Sequence, residues 1–264
     1  MKLPVITLLT DFGNQDYFAG AMKGVILSLN PDARIVDLTH KIPPQDIHAA
    51  AFNLLACYRD FPAGTIHIAV IDPGVGSKRR PLLVEVAGQF FIGPDNGVFS
   101  WVCGREGNWR ALHLTKDRFF RHPVSKTFHG RDIFAPVAAA LSNGIPSDEF
   151  GDQVSDIVWL DSLKPETEDD GRIKGRVIHI DRFGNCITNL TREHFPGSEA
   201  TASTKLIVDT REISSFREFF SDFGKDAEPF CVIGSAGFLE IAMKNSSAAT
   251  MLNIHRGDRV ILTS

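Results

Sequence analysis

Apolar residues along this chain follow two different rhythms. Val5 to Thr10 is a short β-rich apolar run, the pattern of a strand buried on both faces of a sheet. Tyr17, Phe18, Met22, Val25, Ile26 and Leu29 then recur at helical spacing until Asn30-Pro31 stops the helix. Arg34 to Leu38 reads as a second strand, Ile47 through Ala51, Leu54, Leu55 and Tyr58 as a second helix, and Thr65 to Ile71 as a third strand. Strands alternating with helices over short connections predict a parallel sheet with right-handed crossovers. Residues 81–92 predict a hairpin, Leu82 to Val86 and Phe90 to Ile92 about Ala87-Gly88, followed by a turn at Pro94-Asp95-Asn96-Gly97. Ile133, Phe134, Val137, Ala138 and Leu141 predict an amphipathic helix ending near Gly144.

The rhythm changes after Leu163 to Gly171, an acidic run bounded by Pro165 and Gly171 that suits a linker. Beyond it come short strands: Arg176 to Ile180, Cys186 to Leu190, Lys205 to Val208, Phe230 to Ile233, Leu239 to Met243 and Arg259 to Leu262, with one short helix expected over Ser214 to Phe223. The expected class is therefore α/β. An N-terminal α/β domain with a mostly parallel central sheet spans residues 1–163. A linker spans 164–171, and a smaller C-terminal β-barrel-like domain spans 172–264.

Composition narrows the classes. Hydrophobic residues make up 43% and charged residues 23% of 264, as in a soluble globular protein. A net charge of −4 offers no broad basic field, so no nucleic-acid partner is expected. The apolar run at the N-terminus stops at Asp11, too early for a signal peptide, and no stretch reaches the roughly 20 apolar residues of a membrane span. Cys57, Cys103, Cys186 and Cys231 are scattered, without a CxxC pair, which points to free thiols and a cytoplasmic protein.

Candidate chemistry gathers at strand ends, where open α/β sheets bind ligands. Asp11 and Asp72 each follow a predicted strand. Asp11 is placed either to accept hydrogen bonds from a ribose diol or to cap the next helix. Asp72-Pro73-Gly74-Val75-Gly76 is neither GxGxxG nor a P-loop; it is a close-approach loop or a simple turn, with Arg79 and Arg80 following. His129 precedes Gly130 and a helix start, whose unpaired N–H groups and positive dipole end would keep the imidazole neutral and able to accept a proton. A satisfied structural histidine is the alternative. In the second half, Asp181, Phe183 and Asn185 either read a purine, by stacking and paired amide contacts, or form an Asx-type hairpin turn. Gly234-Ser235-Ala236-Gly237 leaves open a close ligand approach or a bulge. A metal site from Asp11, Asp72, Asp95, His129 and Asp132 lacks any metal-binding spacing, so none is expected.

In this order the segments Leu9 to Gly13, Met22 to Gly24, Asp37 to His40, Asp72 to Gly76, Pro94 to Gly97, Thr127 to Pro136, Asp181 to Asn185 and Ser235 to Ala242 resemble the S-adenosyl-L-methionine hydroxide adenosyltransferases, relatives of the fluorinases and chlorinases. The resemblance spans nearly the whole chain. It implies hydrolysis of S-adenosyl-L-methionine (SAM) to adenosine and L-methionine by attack of a water-derived oxygen at ribose C5′, with SAM as substrate and no cofactor. It places the catalytic acid, arginine and histidine on Asp72, Arg79 and His129, and the ribose-binding acid on Asp11. Methionine and adenine contacts fall on Asp181, Phe183, Asn185, Ser235 and Glu240. It also implies a homotrimer with sites between subunits. Halogenating relatives replace the acid and the histidine, so retention of Asp72 and His129 favours the hydrolytic branch over a halogenase. Ala236 stands where fluorinases carry an arginine, which leaves the methionine carboxylate contact unassigned. A non-catalytic adenosine- or SAM-binding module is the remaining alternative.

Overall fold

The computed structural model describes residues 5–195, 198–220 and 228–263. The chain divides into two compact units, Met1–Ser162 and Leu163–Ser264. In the first unit the strands are β1 (Val5–Thr10), β2 (Arg34–Thr39), β3 (Ile66–Val70), β4 (Pro81–Val86), β5 (Gln89–Pro94), β6 (Trp109–Leu114) and β7 (Gly151–Val154). The helices are α1 (Phe18–Leu29), α2 (Ile47–Cys57), α3 (Ser100–Glu106) and α4 (Ala135–Ser142).

The strand order is β2-β1-β3-β5-β4-β6-β7. From β2 to β5 every pairing is parallel, and β4, β6 and β7 extend the sheet antiparallel. All five residues of β3 are buried, which suits its largely apolar sequence, while β2 lies at the sheet edge with every position exposed or half-buried. Ile6, Leu8, Ile68, Met22, Ile26, Phe134 and Val137 belong to one core that joins β1 and β3 to α1 and α4. The strand–helix–strand–helix–strand start and the hairpin occur where the pattern placed them. Three elements went unforeseen: α3, β6 and β7. The helix expected to be amphipathic, α4, buries Ala135, Pro136, Val137, Ala138, Ala139 and Leu141, so it is a core helix.

In the second unit β8 (Glu166–Thr167), β9 (Ile173–Ile180), β10 (Cys186–Thr191), β11 (Lys205–Val208), β12 (Arg211–Ile213), β13 (Phe216–Arg217), β14 (Phe230–Ile233), β15 (Phe238–Ala242) and β16 (Arg259–Thr263) form one sheet among the described residues, with α5 (Ala248–Leu252) beside them. β9 turns the corner: Ile173 to Arg176 pair with β16, and Val177 to Ile180 with β10. The sheet thus curls around a core of Val177, Leu190, Leu206, Leu239, Ile241 and Val260, the barrel-like form expected. The acidic segment is less of a free linker than its composition suggested, because Glu166 and Thr167 pair with Lys174 and Ile173, and Glu168 meets Arg172 and Lys174. The helix expected over Ser214 to Phe223 is corrected for its described part: Phe216 and Arg217 form β13, parallel to β14. Residues 221–223 lie outside the described residues. Among the described residues no helix is long and apolar enough to cross a membrane.

Candidate active site

Asp72 emerges two residues after β3, at the carboxyl end of the parallel strands. The chain then turns sharply, with Val75 N–H donating to Asp72 O and Ser77 N–H to Gly74 O. Gly76 has φ +77°, and a Cβ there would collide with the Lys126 carbonyl, so this loop packs backbone to backbone on the segment leading to His129. The turn brings Arg79 back over Asp72. Arg79 Nε donates to Asp72 Oδ1 at 2.8 Å and Nη2 to Oδ2, a bidentate fork. The pair is buried, with side-chain exposures of 9% and 6%. Nη2 also donates to His129 Nδ1 at 2.8 Å. The guanidinium lies over the Phe134 ring, 5.5 Å from its centroid. Its remaining nitrogen, Nη1, is buried and has no partner among the described residues. Arg80, by contrast, is bound to Asp95 and Asp156 and serves the fold.

A guanidinium only donates, so the bond from Arg79 fixes the protonation of His129. Nδ1 must be the acceptor, and the ring proton sits on Nε2. Burial, and next the Arg79 charge, hold the imidazole below the usual histidine range, against the opposing pull of Asp72 and Asp132. That direction agrees with the neutral imidazole expected from the sequence, while two of the N–H groups expected to be unpaired beyond it are engaged. Arg131 and Asp132 N–H both donate to Phe128 O in a wide turn, Gly130–Phe134, that precedes α4. Gly130 lets this turn pack on Met22: a Cβ would meet its sulfur at 3.1 Å.

Asp132, which the sequence reading offered only to a metal site, has another task. It is fully buried and accepts from Arg131 Nε and Nη2 at 2.7 and 2.8 Å, Ser125 N–H at 2.9 Å and Arg121 Nη1 at 3.3 Å. Burial alone would raise its pKa, but those donors outweigh it and lower it. The His129 loop is tied down by this carboxylate.

Asp11 does not cap α1. Its Oδ2 accepts the Gln45 N–H at 2.8 Å, and α1 starts at Phe18 without a side-chain cap. Thr10 beside it bonds His40 Nδ1 at 2.8 Å, and His40 Nε2 lies 3.1 Å from Asp37, which also meets Lys23. Phe12, Phe18 and Phe128 contact one another with centroids 5.3–5.9 Å apart, joining the Asp11 loop to the His129 loop. Asp11, Asp72 and His129 therefore line one cavity of about 200 Å³, together with Gln45, Thr127 and Gly130. Among the described residues no three His, Cys, Asp or Glu side chains are grouped to hold a metal ion.

Asp181, Phe183, Asn185, Ser235 and Glu240 line a separate cavity of about 870 Å³ in the second unit. The β9–β10 connection is the Asx-type turn. Asp181 Oδ1 accepts Phe183 and Asn185 N–H at 2.8 and 2.9 Å, and Oδ2 accepts Asn185 Nδ2 at 2.9 Å. Phe183 is left 75% exposed, a free aromatic face. Gly234 to Gly237 is the tight β14–β15 turn rather than a bulge, with Gly237 N–H on Gly234 O. Lys244 and Ser247 also line the cavity and went unnoticed in the sequence, where nothing distinguishes them from surface residues.

An α/β unit that holds a buried carboxylate–guanidinium–imidazole set, joined to a β unit with a ligand-sized cavity, is an arrangement for chemistry on a small molecule. Comparison with known proteins makes the class specific. The family models described as SAM hydroxide adenosyltransferase N-terminal and C-terminal domain match residues 6–151 and 175–261, and this chain belongs to that family. It is 36% identical to a protein of Methanocaldococcus jannaschii named (R)-S-adenosyl-L-methionine hydrolase, over 98% of this chain and 95% of that one. A fluorinase of an Actinoplanes species is 27% identical, over 98% and 97%. A crystal structure of an uncharacterized conserved protein from Thermotoga maritima superposes with TM-score 0.91 at 33% identity, covering 98% of this chain and all of that one.

Proposed function

We propose that this chain hydrolyses SAM to adenosine and L-methionine, with Asp72, Arg79 and His129 acting on the attacking water. The observation that carries the reading is the contiguous Asp72–Arg79–His129 set beside a cavity shared with Asp11. A water oxygen forms a bond to ribose C5′ as the C5′–S bond breaks. The electron pair moves to sulfur, which leaves as a neutral thioether and needs no general acid. The demand falls on the nucleophile, because free water has a pKa near 15.7. With Nδ1 of His129 occupied by Arg79, the imidazole supplies Nε2–H as a donor to that oxygen instead of taking its proton. Arg79 Nη1 is a further donor without a partner. Asp72 lines the cavity and keeps lone pairs beyond the two engaged by Arg79, so the proton passes to this carboxylate. In-line positioning contributes up to about 7–11 kcal/mol in the best-oriented systems.

Asp11 takes the ribose diol, and the second-unit cavity takes adenine and the methionine end. About 200 Å³ is below the roughly 300–1,000 Å³ of small-molecule sites, so the first cavity does not hold all of SAM. A homotrimer in which a neighbouring copy's second unit completes the site meets that need, and light scattering at a trimer's mass tests it. Four unpaired cysteines support a cytoplasmic setting. Chromatography after incubation with SAM tests the reaction: adenosine and methionine are expected without added metal, and with chloride supplied no halogenated adenosine. Unchanged SAM after long incubation would reduce the chain to a binding module.

A further inference from the structure

The β2–α2 connection grips the Asp11 loop. β1 and β2 pair in parallel, but their register slips: Leu8 faces Asp37 while Leu9 faces Thr39. The extra residue of this bulge, Leu38, advances β2 by one, so His40 rather than Thr39 comes level with Thr10. Thr10 Oγ1, fully buried, lies 2.8 Å from His40 Nδ1 and accepts the Phe12 N–H at 3.3 Å. The His40 carbonyl accepts the Gly13 N–H at 2.7 Å. One histidine therefore holds the chain on both sides of Asp11. Gln45, in the same connection, adopts φ +66°, a left-handed backbone uncommon for a residue with a side chain, and donates its N–H to Asp11 Oδ2 at 2.8 Å. Asp11 Oδ1 makes no hydrogen bond among the described residues.

His40 is held in turn. Its Nε2 lies 3.1 Å from Asp37 Oδ1, close enough for attraction though not aligned as a hydrogen bond, and Asp37 Oδ2 accepts from Lys23 Nζ at 2.6 Å. None of Lys23, Asp37, His40 and Thr10 lines the cavity, so their effect on a ligand passes through Asp11. Packing alone would be served by aliphatic residues at 10 and 40, whereas a buried hydroxyl–imidazole pair costs desolvation and supplies direction. We infer that His40 is a positioning residue for the ribose contact: through Thr10 and Gly13 it fixes the Asp11 loop so that Oδ1 meets the 2′- and 3′-hydroxyls. The inference rests on the reading of Asp11 as the ribose-binding carboxylate. A carboxylate tethered at one oxygen, on a clamped loop, meets the diol with little left to order.

Calorimetric titration of adenosine and 2′,3′-dideoxyadenosine reads this contact without turnover. The wild type should bind adenosine about tenfold or more tighter, as a hydrogen bond to a charged group supports. In His40→Ala that ratio should shrink to about threefold or less, through weaker adenosine binding, with the dideoxy analogue bound within about twofold of wild type. His40→Asn, whose amide can donate or accept where Nδ1 stands, should restore a measurable part. In an Asp11→Ala background, His40→Ala should leave the ratio unchanged. A folded His40→Ala protein that keeps the wild-type ratio, or loses both nucleosides alike, overturns the inference. Should that variant not fold, Thr10→Val, which keeps the shape and removes the hydroxyl, decides by the same ratio. A wild type that binds both nucleosides alike takes Asp11 off the ribose and overturns the inference too. If the wild type draws the distinction but forms no adenosine from SAM, the proposed function falls and the role of His40 still stands on the ratio.

Discussion

The first unit's cavity and the second unit's cavity solve opposite problems. Around the smaller one, Asp72, Arg79 and His129 are locked to one another, Asp11 is held by a backbone N–H, and Asp132 anchors the loop from behind. Little can move when a ligand arrives, which is what positioning a water molecule requires. Around the larger one, Phe183 is exposed and Glu240 has no hydrogen-bond donor among the described residues. The side chains proposed for catalysis are mostly held by the protein, Arg79 Nη1 excepted, whereas Phe183 and Glu240 in the larger cavity are left open to a ligand.

Substitutions can break this contrast. The largest effect is expected from Arg79→Met. It removes the cation between Asp72 and His129 and should lower kcat by roughly 10²–10³ or more, as loss of a transition-state donor does elsewhere, with KM little changed. It also strands a buried carboxylate, so chemical denaturation should show a loss of about 3–5 kcal/mol. A stable, active variant would refute the assignment. For His129 the replacement decides the role: His129→Ala should lose about 10²-fold or more in kcat, whereas His129→Gln, able to accept from Arg79 and still donate, should recover a measurable part. A proton-accepting histidine would give two equally dead variants.

The pH profile sharpens the same point. His129 must be neutral to accept from Arg79, and its pKa lies below the ordinary 6.5. Protonation therefore sets in only below the normal histidine range, so kcat should hold through pH 6.5 and fall at more acidic values. A kcat limb centred at or above 6.5 would contradict this.

Two glycines give smaller effects. Gly76→Ala sets a Cβ at φ +77° against the Lys126 carbonyl, and should cost about 1–3 kcal/mol, read as a lowered Tm. It disturbs the loop proposed to carry Asp72 and Arg79 to the attacking water, so kcat should fall more than KM rises. Gly234→Ala displaces only the end of the Glu240 side chain and should raise KM by several-fold with kcat near wild type. If the two glycines exchanged these signatures, the division between a chemical and a recognition region would fail.

The regular α/β start was legible because β1 and β3 are continuous apolar runs buried on both faces and α1 buries Ala19, Met22 and Ile26 along one face. α3 was not, since Ser100 to Cys103 are buried all round and carry no amphipathic stripe. Phe216, Phe219 and Phe220 have helical spacing, yet Ser215 O accepts Cys231 N–H and Phe216 joins the sheet, so tertiary pairing overrode the local period. The site was legible as positions: Asp11 and Asp72 at strand ends and His129 before a glycine. Its wiring was not, because the Arg79 fork, the tautomer of His129 and the clamp on Asp132 depend on loops far apart in the chain. Nor could spacing show that Asn185 spends an amide N–H on Asp181, or that Glu240 stands without a donor.

The origin of the 5′-oxygen tests the central claim most directly. SAM incubated with the protein in ¹⁸O-enriched water should yield adenosine carrying the label at the 5′-hydroxyl, with unlabelled methionine, as read by mass spectrometry. Adenosine without label, or label carried on the methionine fragment, would contradict water attack at C5′.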